Sequence, residues 1–321
     1  MPWIDPDVLD STIYLYPSEA AAQDGERIGG TGFLIGVPVI ARNREIGNVI
    51  CVVTNKHVID HGNTVARLNT HDQGTDIIPL DGLRWYTHPD GDDLAVCPIR
   101  LNSRVHKAKL ISVRNFATKK TIEANGIGPG DDVFIVGRFI NHEGKQRNLP
   151  SVRFGNIAQM PWEPIVIDGV AQESFLIEAR SISGYSGSPV FGYVMPPLDL
   201  GLNPEIKKMI REGQLQMVNV NPKRADLPIP LGPWLLGINY CYIRWDEPIW
   251  SRITQKPVSE EWFVKSNTGM MGVIPSWRLL DILTGPEMKP LLDNAKKAVE
   301  EVTEVDAVIK LDVTDLSPPR G

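Results

Sequence analysis

Three residues with the chemistry of a nucleophile, a base and an acid stand far apart in this chain. Each lies where an apolar run begins or ends. Ser186 sits in Ser183-Gly184-Tyr185-Ser186-Gly187-Ser188-Pro189-Val190-Phe191, a serine between glycines ahead of an apolar strand. Gly184 permits a backbone conformation in which the amides of Gly184 and Ser186 aim at one point. Two such amides could form an oxyanion hole, which stabilises the negative charge of a tetrahedral intermediate. A serine hydroxyl also needs a base, and the base needs an orienting group. His57 closes the run Cys51-Val52-Val53-Thr54-Asn55-Lys56-His57, and Asp93 opens Asp93-Leu94-Ala95-Val96. Asp92 is the rival for the acid's role. Taken singly these signals are ordinary, since Gly/Ser turns, histidines after strands and aspartates before them are common structural features. All three at strand ends, in the order His, Asp, Ser, make a constellation suited to nucleophilic acyl transfer.

Two other chemistries fit less well. A serine between glycines also marks α/β-hydrolases, whose order is Ser, acid, His. No histidine follows His142, so that order is excluded. His57 and His61, with Asp60 between them, have zinc-like spacing, but no matching third-ligand cluster accompanies them and no metal or other cofactor is expected. The glycines of Gly126-Ile127-Gly128-Pro129-Gly130 precede a strand rather than open a helix, so they mark a turn and not a phosphate cradle.

Short runs rich in Val, Ile and aromatics, separated by Gly and Pro, must position these residues. Strands are expected at 11–16, 32–37, 48–54, 65–68, 94–99, 132–137, 175–179, 189–194 and 233–242. Helical patterns are few: 204–212, 277–283 and 290–302. The chain reads as an all-β body ending in helices. Its 321 residues, 42% hydrophobic and 22% charged, suffice for a large core, and the net charge of −6 argues against nucleic acid or an anionic membrane as partner. No apolar run approaches a membrane span, the N-terminus lacks the pattern of a signal peptide, and the three cysteines form no CxxC. A cytoplasmic protein with reduced thiols is the expectation.

Thr54-Asn55-Lys56-His57-Val58, Asp93-Leu94-Ala95-Val96 and Gly184-Tyr185-Ser186-Gly187-Ser188-Pro189-Val190 resemble the three triad motifs of trypsin-like, chymotrypsin-fold serine peptidases. Gly30-Thr31-Gly32-Phe33 is similar to the first barrel strand of the bacterial HtrA-like and glutamyl-endopeptidase-like branches. Leu235-Leu236-Gly237-Ile238 resembles the strand lining the substrate cleft, and Met271-Gly272-Val273-Ile274-Pro275 the last strand. The likeness covers about residues 28–285. It implies two six-stranded antiparallel β-barrels, at 28–118 and 119–285, between an N-terminal segment 1–27 and a C-terminal helix and tail 286–321. It further implies a serine endopeptidase acting on protein or peptide substrates. Ser186 would be the nucleophile, His57 the base, Asp93 the orienting acid, and the Gly184 and Ser186 amides the oxyanion hole. Arg180, Ser181, Asn239, Tyr240 and Tyr242 would line the substrate pocket. An inward Arg180 would favour acidic residues and an outward one small apolar residues; neither favours Lys or Arg. The alternative is a catalytically silent barrel that binds protein.

The chain departs from the family pattern in three ways. Tyr185 stands where the zymogen-activated branch has Asp, so Arg27-Ile28 is not an activation site. The usual disulfides cannot be placed. The connections 196–232 and 242–268 are enlarged, and Trp245, Trp250 and Trp262 of the second are expected to cap the barrel, with a wall over the cleft as the alternative.

Overall fold

The computed structural model describes residues 4–41, 44–140, 144–167, 169–179, 184–193, 232–298 and 300. Arg180 and Ser181, the expected helix at 204–212 and nearly all of the 196–232 connection lie outside the described residues.

The first half runs α1 (Pro6–Leu9), β1 (Thr12–Tyr16), α2 (Glu19–Asp24), β2 (Gly30–Ala41), β3 (Arg44–Thr54), α3 (Lys56–Asp60), β4 (Val65–Asn69), β5 (Thr75–Pro79), β6 (Tyr86–Thr87), β7 (Ala95–Ile99) and β8 (Ile111–Ser112). Its strands pair in the order β5-β4-β1-β2-β3-β7-β6, with β8 parallel to β2. The second half follows α4 (Lys119–Asn125): β9 (Asp132–Gly137), β10 (Ser151–Gln159), β11 (Ile165–Ile167), β12 (Val170–Gln172), β13 (Phe175–Glu178), β14 (Pro189–Gly192), β15 (Trp234–Pro248) and β16 (Phe263–Pro275). Here β10-β13-β16-β15-β14-β9 close into a six-stranded barrel, and β11 and β12 form a separate hairpin. Helix α5 (Ser276–Thr284) follows, then α6 over 289–298.

The all-β expectation holds, and one of its two six-stranded barrels is present. The pairings of the first half instead trace an open path whose end strands, β5 and β6, do not pair with each other. The N-terminal segment supplies one of its strands: β1 lies between β2 and β4, with all five of its residues buried. Its place is secured by two arginines that are fully buried. Arg67 donates to the carbonyls of Ala22 (3.0 Å) and Gly144 (2.9 Å), and Arg138 to those of Ile28 (2.6 Å) and Glu26. Both guanidinium groups also stand over the Tyr14 and Tyr16 rings. A buried cation is tolerable only when its donors are met in this way.

The main core joins the two halves. Phe33, Val53 and Val96 of the sheet pack with Phe134, Phe191 and Leu235 of the barrel and Leu279 of α5. A second cluster, including Val133, Ile177, Val190 and Met271, fills the barrel itself. Both arms of the 242–268 connection continue the barrel strands, since β15 and β16 stay paired out to Pro248 and Phe263, and a turn-rich segment, 249–262, joins them. The expectation that its tryptophans cap the barrel fails. Trp245 is 64%, Trp250 61% and Trp262 61% exposed, because the paired strands carry them past the barrel body.

Candidate active site

Strand register explains why distant residues meet. β3 and β7 are antiparallel neighbours, with Thr54 opposite Ala95. The chain leaves β3 and enters β7 at the same end, so His57 and Asp93 emerge side by side. Asn55 is the N-cap residue of α3, which sets His57 in the first turn.

Asp93 then holds His57 at two points. One carboxylate oxygen accepts the His57 backbone N–H at 2.8 Å, and the other lies 2.5 Å from Nδ1. Asp93 is itself fixed on both sides: its carbonyl accepts from Asn55 Nδ2 (2.9 Å), and its N–H donates to Gln172 Oε1 (3.1 Å). Both side chains are partly buried, which strengthens the contact relative to one in open water. Asp92 turns the other way, into an ion pair with Arg278. Between the two candidate acids, the one touching His57 is Asp93.

The turn carrying Ser186 is pinned to the opposite wall through Thr31 of β2. The Thr31 N–H donates to the Ser186 carbonyl (2.9 Å), and its hydroxyl to the Gly184 carbonyl (2.6 Å). Thr54 Oγ1 donates to the Thr31 carbonyl at 2.7 Å, tying the turn to the strand that delivers His57. On the other side Gly187 N–H donates to the Asn239 carbonyl, and Asn239 Nδ2 to the Tyr185 carbonyl, each at 2.9 Å. Gly187 has φ +84°, and a Cβ there would run into the Thr31 carbonyl and the Thr54 hydroxyl. Only glycine fits. Gly184, at φ +94°, likewise adopts a backbone that other residues avoid. The Tyr185 ring is fully buried, and its hydroxyl meets Ser151 and Arg153.

Two cavities meet over this turn. The larger, about 760 Å³, is bounded by His57, Ser186, Val166 and Ile167 of β11, and the run Tyr240–Asp246 of β15. The smaller, about 310 Å³, adds Gly29, Val58, Asn63, Gly184 and Asn239. Tyr240 and Tyr242, read from the sequence as pocket residues, line the larger cavity. Asn239 edges the smaller one, but its amide is spent on the Tyr185 carbonyl. Burial pushes the Tyr240 phenol well above its ordinary value, with Cys241 and the Asp93 carboxylate adding to the effect, so this hydroxyl keeps its proton. Trp245 lines the larger cavity. His61 stands edge-on to His57 with ring centroids 5.9 Å apart, and among the described residues no group of three or more His, Cys, Asp or Glu side chains is placed to hold a metal.

Thr31, Asn55 and Gln172 support this site and were not singled out from sequence. Thr31 stands in the Gly-Thr-Gly-Phe motif, whose resemblance marked a strand without giving the threonine a task. Nothing in sequence connects Gln172 to Asp93, 79 residues away.

No family model and no curated protein matches the chain. Solved structures similar to it include the MamO protease domain from Magnetospirillum magneticum in its apo form (14% identity, TM-score 0.46, 86% of this chain and 96% of that one). The HtrA-type protease AlgW with a decapeptide is similar at 14% identity and TM-score 0.44, over 87% of this chain and 64% of that one. Deg5 is similar at 15% identity and TM-score 0.41, over 74% and 81%. What the site can do is set by its own geometry.

Proposed function

We propose that this chain is a serine endopeptidase of the chymotrypsin type. The observation carrying the reading is the two-point grip of Asp93 on His57 beside a cleft that Ser186 also lines. With Nδ1–H donated to Asp93, the neutral imidazole keeps its lone pair on Nε2, the tautomer a general base requires. In this reading Nε2 takes the Ser186 hydroxyl proton as Oγ attacks the carbonyl carbon of the substrate. The negative charge that develops on the carbonyl oxygen is met by the Gly184 and Ser186 amides. The imidazolium, stabilised by Asp93, returns its proton to the leaving amine, and an acyl-enzyme remains on Ser186. Water, activated by the same imidazole, then hydrolyses the ester.

The peptide occupies the cleft along Tyr240–Asp246, with Tyr240 and Tyr242 beside the reacting bond. Arg180 and Ser181 belong to this proposal as pocket residues on the sequence resemblance alone. The free thiols of Cys51 and Cys97, buried in the β3–β7 region, suit a reducing compartment.

Pre-steady-state hydrolysis of p-nitrophenyl acetate tests the reading. A burst of about one p-nitrophenol per chain, abolished by Ser186→Ala, is expected. Absence of a burst from the folded wild-type chain would replace the enzyme by a protein-binding barrel.

A further inference from the structure

Five ionisable groups crowd together behind Asp93, none of them used by the proposed reaction. His88 and Asp92 are almost wholly buried, with side chains 1% and 8% exposed. Arg278 of α5 reaches between them: its Nε is paired with Asp92, its Nη2 lies 2.9 Å from Asp90, and its Nη1 lies 3.7 Å from Asp281. His88 stands 3.5 Å from Asp92 and 3.6 Å from Asp281. Its carboxylate partners, Asp92 foremost, hold Arg278 more firmly charged than an ordinary guanidinium. A buried carboxylate left unpaired costs stability, so the cluster keeps Asp92 paired, and it can carry a further task as well.

Its position indicates what that is. Asp92 is bonded through one peptide to Asp93, so a shift in one is passed to the other. The neighbouring residue of α5 grips the other side. Trp277 Nε1 donates to Glu173 Oε1 at 3.0 Å, and Glu173 follows Gln172, whose side chain accepts the Asp93 N–H. Glu173 also lies 3.9 Å from Arg278 and 3.6 Å from Lys119. Two consecutive residues of one helix therefore reach Asp93 by two routes, Arg278 through Asp92 and Trp277 through Glu173 and its neighbour Gln172. We propose that Arg278 is a positioning residue: through Asp92 it sets Asp93 at the distance that holds the His57 imidazole, so that α5 couples the second half of the chain to the proposed triad.

The inference rests on the triad reading, and the test separates the two. Full-length wild type, Arg278→Gln and Arg278→Lys are compared, each checked for folding by circular dichroism. Two readouts are taken: the pH dependence of Ser186 labelling by a fluorophosphonate, and the ¹H signal of the His57 Nδ1 proton. The expected result for Arg278→Gln is labelling slowed on the order of 10- to 100-fold, as for a misplaced catalytic group. Its pH midpoint should move downward, because an imidazole with weaker carboxylate support protonates less readily. The Nδ1 proton should move upfield, and Arg278→Lys should recover part of each change. A folded Arg278→Gln with wild-type pH profile and wild-type Nδ1 signal would overturn the proposal and leave Arg278 a structural residue. If Gln does not fold, Asp92→Asn, which keeps an acceptor for Arg278, carries the same expectations and the same refutation. Wild type that fails to label would sink the triad reading instead, while the Nδ1 signal would still report whether Arg278 positions Asp93.

Discussion

Replacing Asp93 by Asn changes no heavy-atom positions yet reverses one hydrogen-bonding group. In the native site the two carboxylate oxygens face two donors, the His57 backbone N–H and Nδ1–H. An amide offers one oxygen and one NH₂. If the oxygen goes to Nδ1, the NH₂ meets the backbone N–H, a donor against a donor, which forfeits a partly buried bond at about 1–3 kcal/mol. If it goes to the backbone, the NH₂ faces Nδ1 and holds the imidazole with its proton on Nε2. The backbone donor cannot change; the imidazole tautomer can, so the second arrangement wins. The Ser186 hydroxyl then faces a protonated nitrogen that cannot accept its proton. The expected loss is about 10⁴-fold, the size known for the same change in such triads, equal to about 5.5 kcal/mol of transition-state stabilisation. The assay is the second-order rate of fluorophosphonate inactivation at pH 7–8, with circular dichroism to show that the fold is kept. A folded Asp93→Asn variant within tenfold of wild type would refute the tautomer argument and the role given to Asp93.

The other expectations concern the scaffold. Removing residues 1–27 should abolish folding rather than activate the chain, because β1 buries Ile13, Tyr14, Leu15 and Tyr16. At roughly 1.5–3 kcal/mol per large apolar side chain, their loss rivals the whole stability of a typical domain. Soluble, labelling-competent protein starting at Ile28 would contradict this. Gly187→Ala should cost on the order of 1–3 kcal/mol in backbone strain alone and more through its clash with Thr31, and should lower both the melting temperature and Ser186 labelling; an unchanged melting temperature would show the argument wrong. Burial pushes Cys51 and Cys97 up to about 12 from 9.0. The folded thiols thus keep protons that unfolded ones release, so stability should be intact below pH 9 and fall as pH rises toward 12. Urea midpoints across that window measure it, and Cys51→Ala should flatten the fall. At pH 8 a disulfide reagent should modify Cys241, which lines the cleft, well before the other two.

Much of the scaffold was legible because its strands are dense in β-branched residues and bounded by glycine and proline. The strand at 132–137 was read at its observed bounds, and 11–16, 65–68 and 175–179 to within a residue at each end. β5, β6 and β8 escaped because they are short or only partly apolar, and β10 because its one fully buried residue is Ile157. The helix at 119–125 falls at the boundary between the two expected barrels and is not among the helical patterns read from the sequence, although Thr118 caps it and Gly126 ends it in a left-handed conformation. The 242–268 segment reads as a loop because tryptophans and charges interrupt its alternation; the outer parts of β15 and β16 are paired with each other and largely exposed, so no apolar pattern is demanded of them. Within the site, His57 and Asp93 could be found from their places at strand ends. The resemblance favours Asp93 over Asp92, and the physical partner of Asp92 lies far off in sequence: Arg278, 186 residues away, pairs with Asp92, and Asp93 meets His57.

The central claim is that Ser186 is a nucleophile made reactive by His57. Intact-mass and peptide mass spectrometry of the full-length chain after exposure to a fluorophosphonate tests it most directly. One adduct per chain is expected, located on Ser186, and none on Ser186→Ala or His57→Ala. Folded wild-type protein that takes up no adduct, or a His57→Ala variant that labels at the wild-type rate, would contradict it.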